Sequence, residues 1–373
     1  MKTRTDWNTR LVRAAMRENN SKRAYLIVNP LQGKHVPVAP RDAFEVFGAL
    51  TERVQQAVGS VEPVLVIAFA ETATAIGAAL AAGLCNPTDL MQTTREDVPG
   101  TDFLYFSESH SHATEQRLAR CGLSDVFGAV RHVVFAEDEV TTGNTIRHLM
   151  EALRVAGLDG VQFHIASLLN GMTPDLRAGF EAEGIGLHCL CQTDNTAIAD
   201  SIGAFAYDGA AYAAQAASGL QPKRLTIPGL QTPRRVLDAA DYAAACETLA
   251  QAACASIPAD AAHVLVLGTE ECMYPGLCAA RMLETTGRTV RFHATTRSPI
   301  RVSTEAAYPL HTRWALGSLY DAARVTYLYN LEPYDHVLVV TDVQPDAAGL
   351  DTLLHALAQT GNGDVTILEW RDA

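Results

Sequence analysis

The chain has 373 residues, 48% hydrophobic and 19% charged, an ordinary globular composition long enough for two domains with separate cores. Its formal net charge of −13 argues against a general nucleic-acid surface, and a phosphate site on such a protein must depend on local groups. No apolar run approaches the ~20 residues of a membrane-spanning helix, so no membrane partner is expected.

The first residues, Met1-Lys2-Thr3-Arg4-Thr5-Asp6-Trp7, are charged and have no apolar stretch behind them, unlike a secretory signal. Eight cysteines, at 85, 121, 189, 191, 246, 254, 272 and 278, show no paired CxxC; Cys189 and Cys191 lie in an apolar segment and read as buried thiols rather than a zinc site. A reducing, cytoplasmic location is expected.

Strand-like runs at 25–28, 64–70, 104–106, 133–136 and 161–167 alternate with helical stretches at 43–58, 74–82, 113–121 and 146–156. The alternation predicts an α/β fold with a doubly wound, mostly parallel sheet, whose sites lie beyond the carboxyl ends of strands. After the first run comes Asn29-Pro30-Leu31-Gln32-Gly33-Lys34-His35, in which Lys34 is either part of a hood over a ligand or an exposed turn lysine. After the second, Ala70-Glu71-Thr72-Ala73-Thr74 opens an Ala-rich helix; its small residues permit an anion to approach the backbone, and a capped helix start fits equally.

Arg95 ends the stretch Met91-Gln92-Thr93-Thr94-Arg95-Glu96, where it can grip phosphate oxygens bidentately or pair with Glu96 at the surface. The loop Ser107-Glu108-Ser109-His110-Ser111-His112 carries two histidines able to donate to an anion or move a proton. Its His-x-His spacing also suits a metal, though no cysteine or third histidine lies nearby in sequence, and a solvated loop without a role is the plain alternative.

Residues 133 to 145, Val-Val-Phe-Ala-Glu-Asp-Glu-Val-Thr-Thr-Gly-Asn-Thr, say most about function. Four apolar residues predict a buried strand ending at the acids Glu137 and Asp138, and Thr141, Thr142, Gly143, Asn144 and Thr145 form a small polar loop opening a helix. Loop amides, threonine hydroxyls and the helix N-terminus attract a sugar phosphate, Gly143 permits close approach, and the carboxylates suit ribose hydroxyls, directly or through a divalent metal.

An internal repeat appears at an offset of about two hundred residues: Val64-Leu65-Val66-Ile67 recurs as Val264-Leu265-Val266-Leu267, Thr93-Thr94-Arg95 as Thr295-Thr296-Arg297, and His132 to Asp138 as His336 to Asp342. Pro30-Leu31-Gln32 has a shadow in Gly229-Leu230-Gln231. Where the first copy has Thr141 to Thr145, the second has Pro345-Asp346-Ala347-Ala348-Gly349; proline removes an N–H donor and Asp346 repels an anion. The join falls near 214–224, giving domains 1–218 and 219–373.

The segment 133–145 resembles the 5-phosphoribosyl-1-diphosphate (PRPP) signature of type I phosphoribosyltransferases. Together with the segments at 29–37, 69–77 and 109–115 and with Thr296-Arg297-Ser298-Pro299, it resembles the orotate-phosphoribosyltransferase-like family of bacterial tellurite-resistance and stress operons, whose C-terminal domain is named for that Thr-Arg-Ser-Pro motif. The resemblance implies two tandem type I phosphoribosyltransferase-like sheets, the second degenerate, and PRPP-dependent transfer to a base-like acceptor with Mg²⁺, commonly in a homodimer. In that scheme Thr141–Thr145 hold the 5-phosphate, and Glu137 with Asp138 hold the ribose hydroxyls and, indirectly, the metal. Ala70, Glu71, Thr72, Ala73 and Arg95 serve pyrophosphate, Lys34 joins a hood over the base or pyrophosphate, His110 or His112 closes a lid, and Arg297 binds an anion, caps a helix or makes an interdomain ion pair. The alternatives are a regulator that binds PRPP or a nucleotide without turnover, and an enzyme of N-glycosidic phosphorolysis.

Overall fold

A computed structural model describes residues 6–18, 20, 23–106, 116–215 and 219–372. They fall into two compact units: an N-terminal unit of 44–193 with 231–244, and a C-terminal unit of the segments up to Ala43, Asp194–Leu230 and from Ala245 onward. A single cut at 218/219 does not follow these units, because the first segment buries with the last. Ala15, Leu26 and Val28 share a core with Ile300, Val302, Tyr308, Leu310 and Tyr329, and the Met16 N–H donates to the Tyr308 hydroxyl at 2.9 Å. The apolar strand Tyr25–Val28 therefore does not join the first large sheet; it pairs antiparallel with Arg13–Met16.

The N-terminal unit is built on a sheet ordered Leu237–Asp238, Thr88–Gln92, Val64–Ala68, His132–Val140, Gln162–Asn170, Gly186–Gln192. All neighbours run parallel except the short first strand, which pairs antiparallel with Thr88–Gln92. The chain leaves Val64–Ala68 toward one edge and returns to build the other, so the crossover lies between Val64–Ala68 and His132–Val140. Crevices at such points hold ligands in open α/β sheets. Val64 to Ile67 and Val133 to Phe135 are fully buried, as expected of strands covered on both faces. Phe135 stacks on Phe163 at 5.8 Å and meets Phe69 at 6.3 Å; each such buried ring contributes roughly 1.5–3 kcal/mol.

Two elements differ from the sequence expectation. The strand His132–Val140 continues through the acids, because pairing with Gln162–Asn170 extends to Glu137↔Ser167 and Val140↔Asn170. Residues 117–119, expected as helix, form the strand Arg117–Ala119, paired antiparallel with Phe103–Tyr105 in a separate hairpin that buries Leu104, Leu118 and Ala119.

The C-terminal unit repeats the plan. Thr289–Ala294, His263–Gly268, His336–Thr341 and Val365–Arg371 lie in the order of Thr88–Gln92, Val64–Ala68, His132–Val140 and Gln162–Asn170, again all parallel, with Lys223–Pro228 added at the edge. Helices Tyr274–Thr285 and Ala347–Gln359 occupy the chain positions of Thr74–Gly83 and Asn144–Val155, and the hairpin Thr312–Gly317/Val325–Tyr329 that of Phe103–Tyr105/Arg117–Ala119. The offset read from sequence is a duplicated α/β fold.

Three histidines form a chain across the first sheet. Glu62 Oε2 meets His132 Nε2 at 3.1 Å, His132 Nδ1 meets His164 Nε2 at 3.0 Å, and His164 Nδ1 meets His188 Nε2 at 3.0 Å. With one hydrogen per contact and the carboxylate accepting, Nε2 is the donor in each ring. Burial, then the neighbouring His188 and His132, lowers the His164 pKa from 6.5 to about 3. The unfolded chain consequently binds the proton more readily than the folded one. Stability from this group is complete above about pH 6.5 and is lost as pH falls toward about 3, with a slope of at most about 1.4 kcal/mol per pH unit. Urea unfolding between pH 7 and pH 4 should show this loss, and His164→Gln should flatten it; an unchanged slope in the variant would assign the acid sensitivity elsewhere.

Candidate active site

The carboxyl ends of Thr88–Gln92, Val64–Ala68 and His132–Val140 gather three of the expected segments. The turn after Val64–Ala68 is held by its neighbours: the Phe69 N–H donates to Ala136 O at 3.0 Å, and the Ala70 N–H donates to the Thr93 hydroxyl at 2.9 Å. Ala70 and Ala73 are buried, the Ala70–Glu71 peptide is cis, and the loop leads into the helix Thr74–Gly83. The Thr72 hydroxyl donates to Asp138 Oδ1 at 2.9 Å, tying this loop to the acidic strand across the crossover. Gln116 Nε2 reaches the Ala70 carbonyl at 3.4 Å.

Glu137 and Asp138 are half-buried at the end of their strand, and the Asp138 N–H donates to Glu137 Oε2 at 3.3 Å. Burial, and then the Asp138 charge, pushes the Glu137 carboxyl well above the usual carboxylate range.

The helix Asn144–Val155 starts with Gly143 as its N-cap residue. Gly143 has φ 74°, and a Cβ there would lie 2.5 Å from Phe180 Cζ and 2.9 Å from Met172 Cε. Backbone conformation and space both require glycine. Thr142, Asn144 and Thr145 are exposed and Thr141 half-buried, so hydroxyls surround a helix end whose first-turn amides lack helical acceptors. Arg147 supports the loop from below, lying 3.9 Å from the centre of the Phe180 ring and 2.6 Å from Glu183.

Arg95 follows the strand Thr88–Gln92, next to the backbone bridge Thr94↔Arg117. Arg117 donates to Glu96 O at 2.7 Å and pairs with Asp97 at 2.6 Å, so the hairpin strand is anchored beside Arg95. The sequence singled out Arg95; the structure adds Thr93, Gln116 and Arg117. The Thr-Thr-Arg echo in the second half was the available signal for Thr93.

Lys34 stands apart from this group. It belongs to the C-terminal unit, is fully buried, and donates from Nζ to Glu270 O and Thr295 O, each at 2.9 Å. His110 and His112 lie outside the described residues. The Thr-Arg-Ser-Pro motif also has its place in the C-terminal unit. Thr296 bridges Tyr327, Arg297 Nε contacts Glu270 Oε2 at 2.8 Å, the Ser298 carbonyl accepts from the Tyr329 hydroxyl at 2.7 Å, and the Pro299 carbonyl accepts from the Glu18 N–H at 2.9 Å.

A parallel α/β sheet thus brings an acidic strand, a glycine-initiated helix and a tight loop together at its crossover, where open α/β sheets bind ligands. A family model described as phosphoribosyl transferase matches residues 11–194, and one described as the TRSP domain C-terminal to it matches 231–357. The chain belongs to this family and is a phosphoribosyltransferase. No curated protein matches the chain.

Among solved structures it is similar to adenine phosphoribosyltransferase from Rhodothermus marinus, with 16% identity and a TM-score of 0.34 over 50% of this chain and 98% of that one. The enzyme from Trypanosoma brucei, in complex with AMP, pyrophosphate and ribose-5-phosphate, gives 14% and 0.34 over 50% and 77%. Orotate phosphoribosyltransferase from Aeropyrum pernix gives 18% and 0.32 over 53% and 96%.

Gly143→Ala should lower the unfolding free energy by about 2 kcal/mol or more, from the left-handed backbone and the overpacking against Phe180. Thr142→Ala, at an exposed position, should stay within ~0.5 kcal/mol of the parent in the same urea titration. Equal stabilities for the two variants would contradict this account of the loop.

Proposed function

We propose that the N-terminal site binds PRPP and transfers its 5-phosphoribosyl group to a nitrogenous base or base-like acceptor, releasing pyrophosphate. The observation that carries this reading is the Thr72–Asp138 hydrogen bond, which joins the Ala70–Ala73 loop to the acidic strand leading into the Thr141–Thr145 loop. Thr141, Thr142, Gly143, Asn144 and Thr145 take the 5-phosphate on the helix N-terminus. Asp138 and Glu137 hold the ribose hydroxyls. Ala70, Glu71, Thr72 and Ala73 present the pyrophosphate side, Arg95 supplies positive charge there, and His110 or His112 closes over it.

The donor set suits Mg²⁺. Glu137 and Asp138 are hard oxygen donors, and among the described residues no group of three or more acidic, histidine or cysteine side chains forms a cage. An ion bound through one or two carboxylates, waters and substrate phosphates matches that arrangement and neutralises charge on the diphosphate. Transfer breaks the C1–oxygen bond to pyrophosphate and forms a bond from C1 to the acceptor nitrogen through an oxocarbenium-like state. The chain's task is alignment, charge stabilisation and exclusion of water. Its eight free cysteines suit a reducing cytoplasm, and we expect a homodimer.

Equilibrium binding of labelled PRPP with Mg²⁺ tests the reading. Saturable binding is expected, weakened at least tenfold in Asp138→Asn/Thr142→Ala; no saturation, or an unchanged variant, would overturn it. A panel of purine and pyrimidine bases should yield pyrophosphate with at least one acceptor. Binding without release would indicate a regulator, and base release from a nucleoside with phosphate alone would indicate phosphorolysis.

A further inference from the structure

The second copy keeps the scaffold of the first, residue by residue, at its strand ends. The Thr93 N–H donates to Ala68 O, and the Thr295 N–H donates to Gly268 O, at 2.9 and 3.1 Å. The Ala70 N–H donates to the Thr93 hydroxyl and the Glu270 N–H to the Thr295 hydroxyl, at 2.9 and 3.0 Å. Thr94 bridges Arg117 as Thr296 bridges Tyr327. By this register Glu270 corresponds to Ala70, Arg297 to Arg95, and the hairpin loop 318–324 to 106–116.

Where the first copy has the methyl group of Ala70, the second has a buried carboxylate, Glu270, 1% exposed. Glu270 Oε2 accepts from Arg297 Nε and Arg324 Nη1, each at 2.8 Å, and Oε1 accepts from the Ser318 hydroxyl. Two guanidinium groups and a hydroxyl converging on two oxygens are a set that would equally hold a phosphate. Asp346 repeats the device at the other anion position. It caps the helix Ala347–Gln359, accepting the Gly349 N–H at 2.9 Å where the first copy leaves its helix end to solvent and hydroxyls.

The Glu270 carboxylate and the Asp346 backbone also fasten the loop. Ser318 and Arg324 are its two ends, and the Asp346 N–H donates to Leu319 O at 2.9 Å. Tyr320 donates from its hydroxyl to Asp342 Oδ1 at 2.5 Å; Asp342 is the acid retained from the first copy's pair.

We propose that the strand-end site of the C-terminal unit is filled from within. Glu270 stands in the place of a pyrophosphate-like anion and Asp346 in the place of a sugar phosphate, and the Glu270 ion pairs hold the loop 318–324 shut. The native unit consequently takes no phosphorylated ligand there, and the site becomes an anion site once the Glu270 carboxylate is removed. Which anion each position would have held rests on the proposed reading of the N-terminal site, whereas cleavage at Arg324 reads the C-terminal unit alone, so the two can fail separately.

Trypsin cleavage after Arg324 of the full-length chain, followed by mass spectrometry, reports on this loop alone. Glycine suits the φ of 46° at position 270, so Glu270→Gly keeps the turn. The wild-type bond should resist cleavage, with or without inorganic pyrophosphate. In Glu270→Gly, cleavage should be at least tenfold faster, and millimolar inorganic pyrophosphate should restore protection; adding Arg297→Ala should abolish that protection. The proposal is overturned if Arg324 in Glu270→Gly is as resistant as in the parent, if pyrophosphate fails to protect it, or if pyrophosphate changes cleavage at Arg324 in the wild type. Should Glu270→Gly fail to fold, Glu270→Gln keeps the shape without the charge: faster cleavage supports the proposal and parental resistance overturns it.

Discussion

Each half of this protein depends on one hydrogen bond that closes the turn after a central strand. A chain leaving a parallel strand buried on both faces carries N–H groups that no further strand pairing can satisfy, and leaving one unpaired costs about as much as a lost hydrogen bond. Thr93 and Thr295, both buried at the end of the neighbouring strand, accept those groups through their hydroxyls. Because the acceptor is a side chain, the loop backbone is free to run across the crossover instead of along the sheet. That brings Thr72 to Asp138 in the first copy and the Glu270 carboxylate to Arg297 in the second.

With the scaffold fixed, the two copies differ in what fills the space. A chain of net charge −13 attracts phosphate only through local arrangement. The first copy makes room with its smallest residues, Ala70 and Gly143, beside hydroxyls and a helix end. The second replaces room with charge of the ligand's own sign, at Glu270 and Asp346. An internal carboxylate loses no translational freedom on entering such a site, so it competes at a high effective concentration with any dissolved anion. Duplication of a binding fold followed by internal occupation turns a site into a structural ion-pair cluster. Such a cluster is held by geometry more than by net energy, since buried pairs repay little beyond their desolvation.

The strand, Gly-centred loop and helix of 133–155, the parallel α/β class and the duplication were legible because each leaves a local mark: an apolar run, a glycine opening a helix, a repeated string. What required the structure was pairing over long distance. Tyr25–Val28 reads as a core strand, and it is buried, yet its partners near residues 300–310 have no sequence mark that ties them to it. Arg117–Ala119 is too short for its period to separate strand from helix. Glu270 was overlooked because the aligned residue in the first copy is alanine, and comparison of strings rewards identity, whereas this site is explained by difference.

Lys34 shows how such a difference can mislead. It sits in a Gly-Lys dipeptide after a strand, the setting of many phosphate-binding lysines, and an exposed turn was the only competing expectation. In the structure, Gly33 has φ 76° and a Cβ at that position would lie 2.5 Å from Phe292 Cδ1, so the turn presses against the second sheet. The lysine then enters the interior and gives its ammonium to two backbone carbonyls, those of Glu270 and Thr295. These are the residues whose N–H to hydroxyl bond closes the second copy's turn. A buried ammonium is tolerated only where acceptors converge, and here two carbonyls do. Lys34 thus ties its segment to the backbone of the second copy's turn, which gives a physical reason for that segment to belong with the last third of the chain.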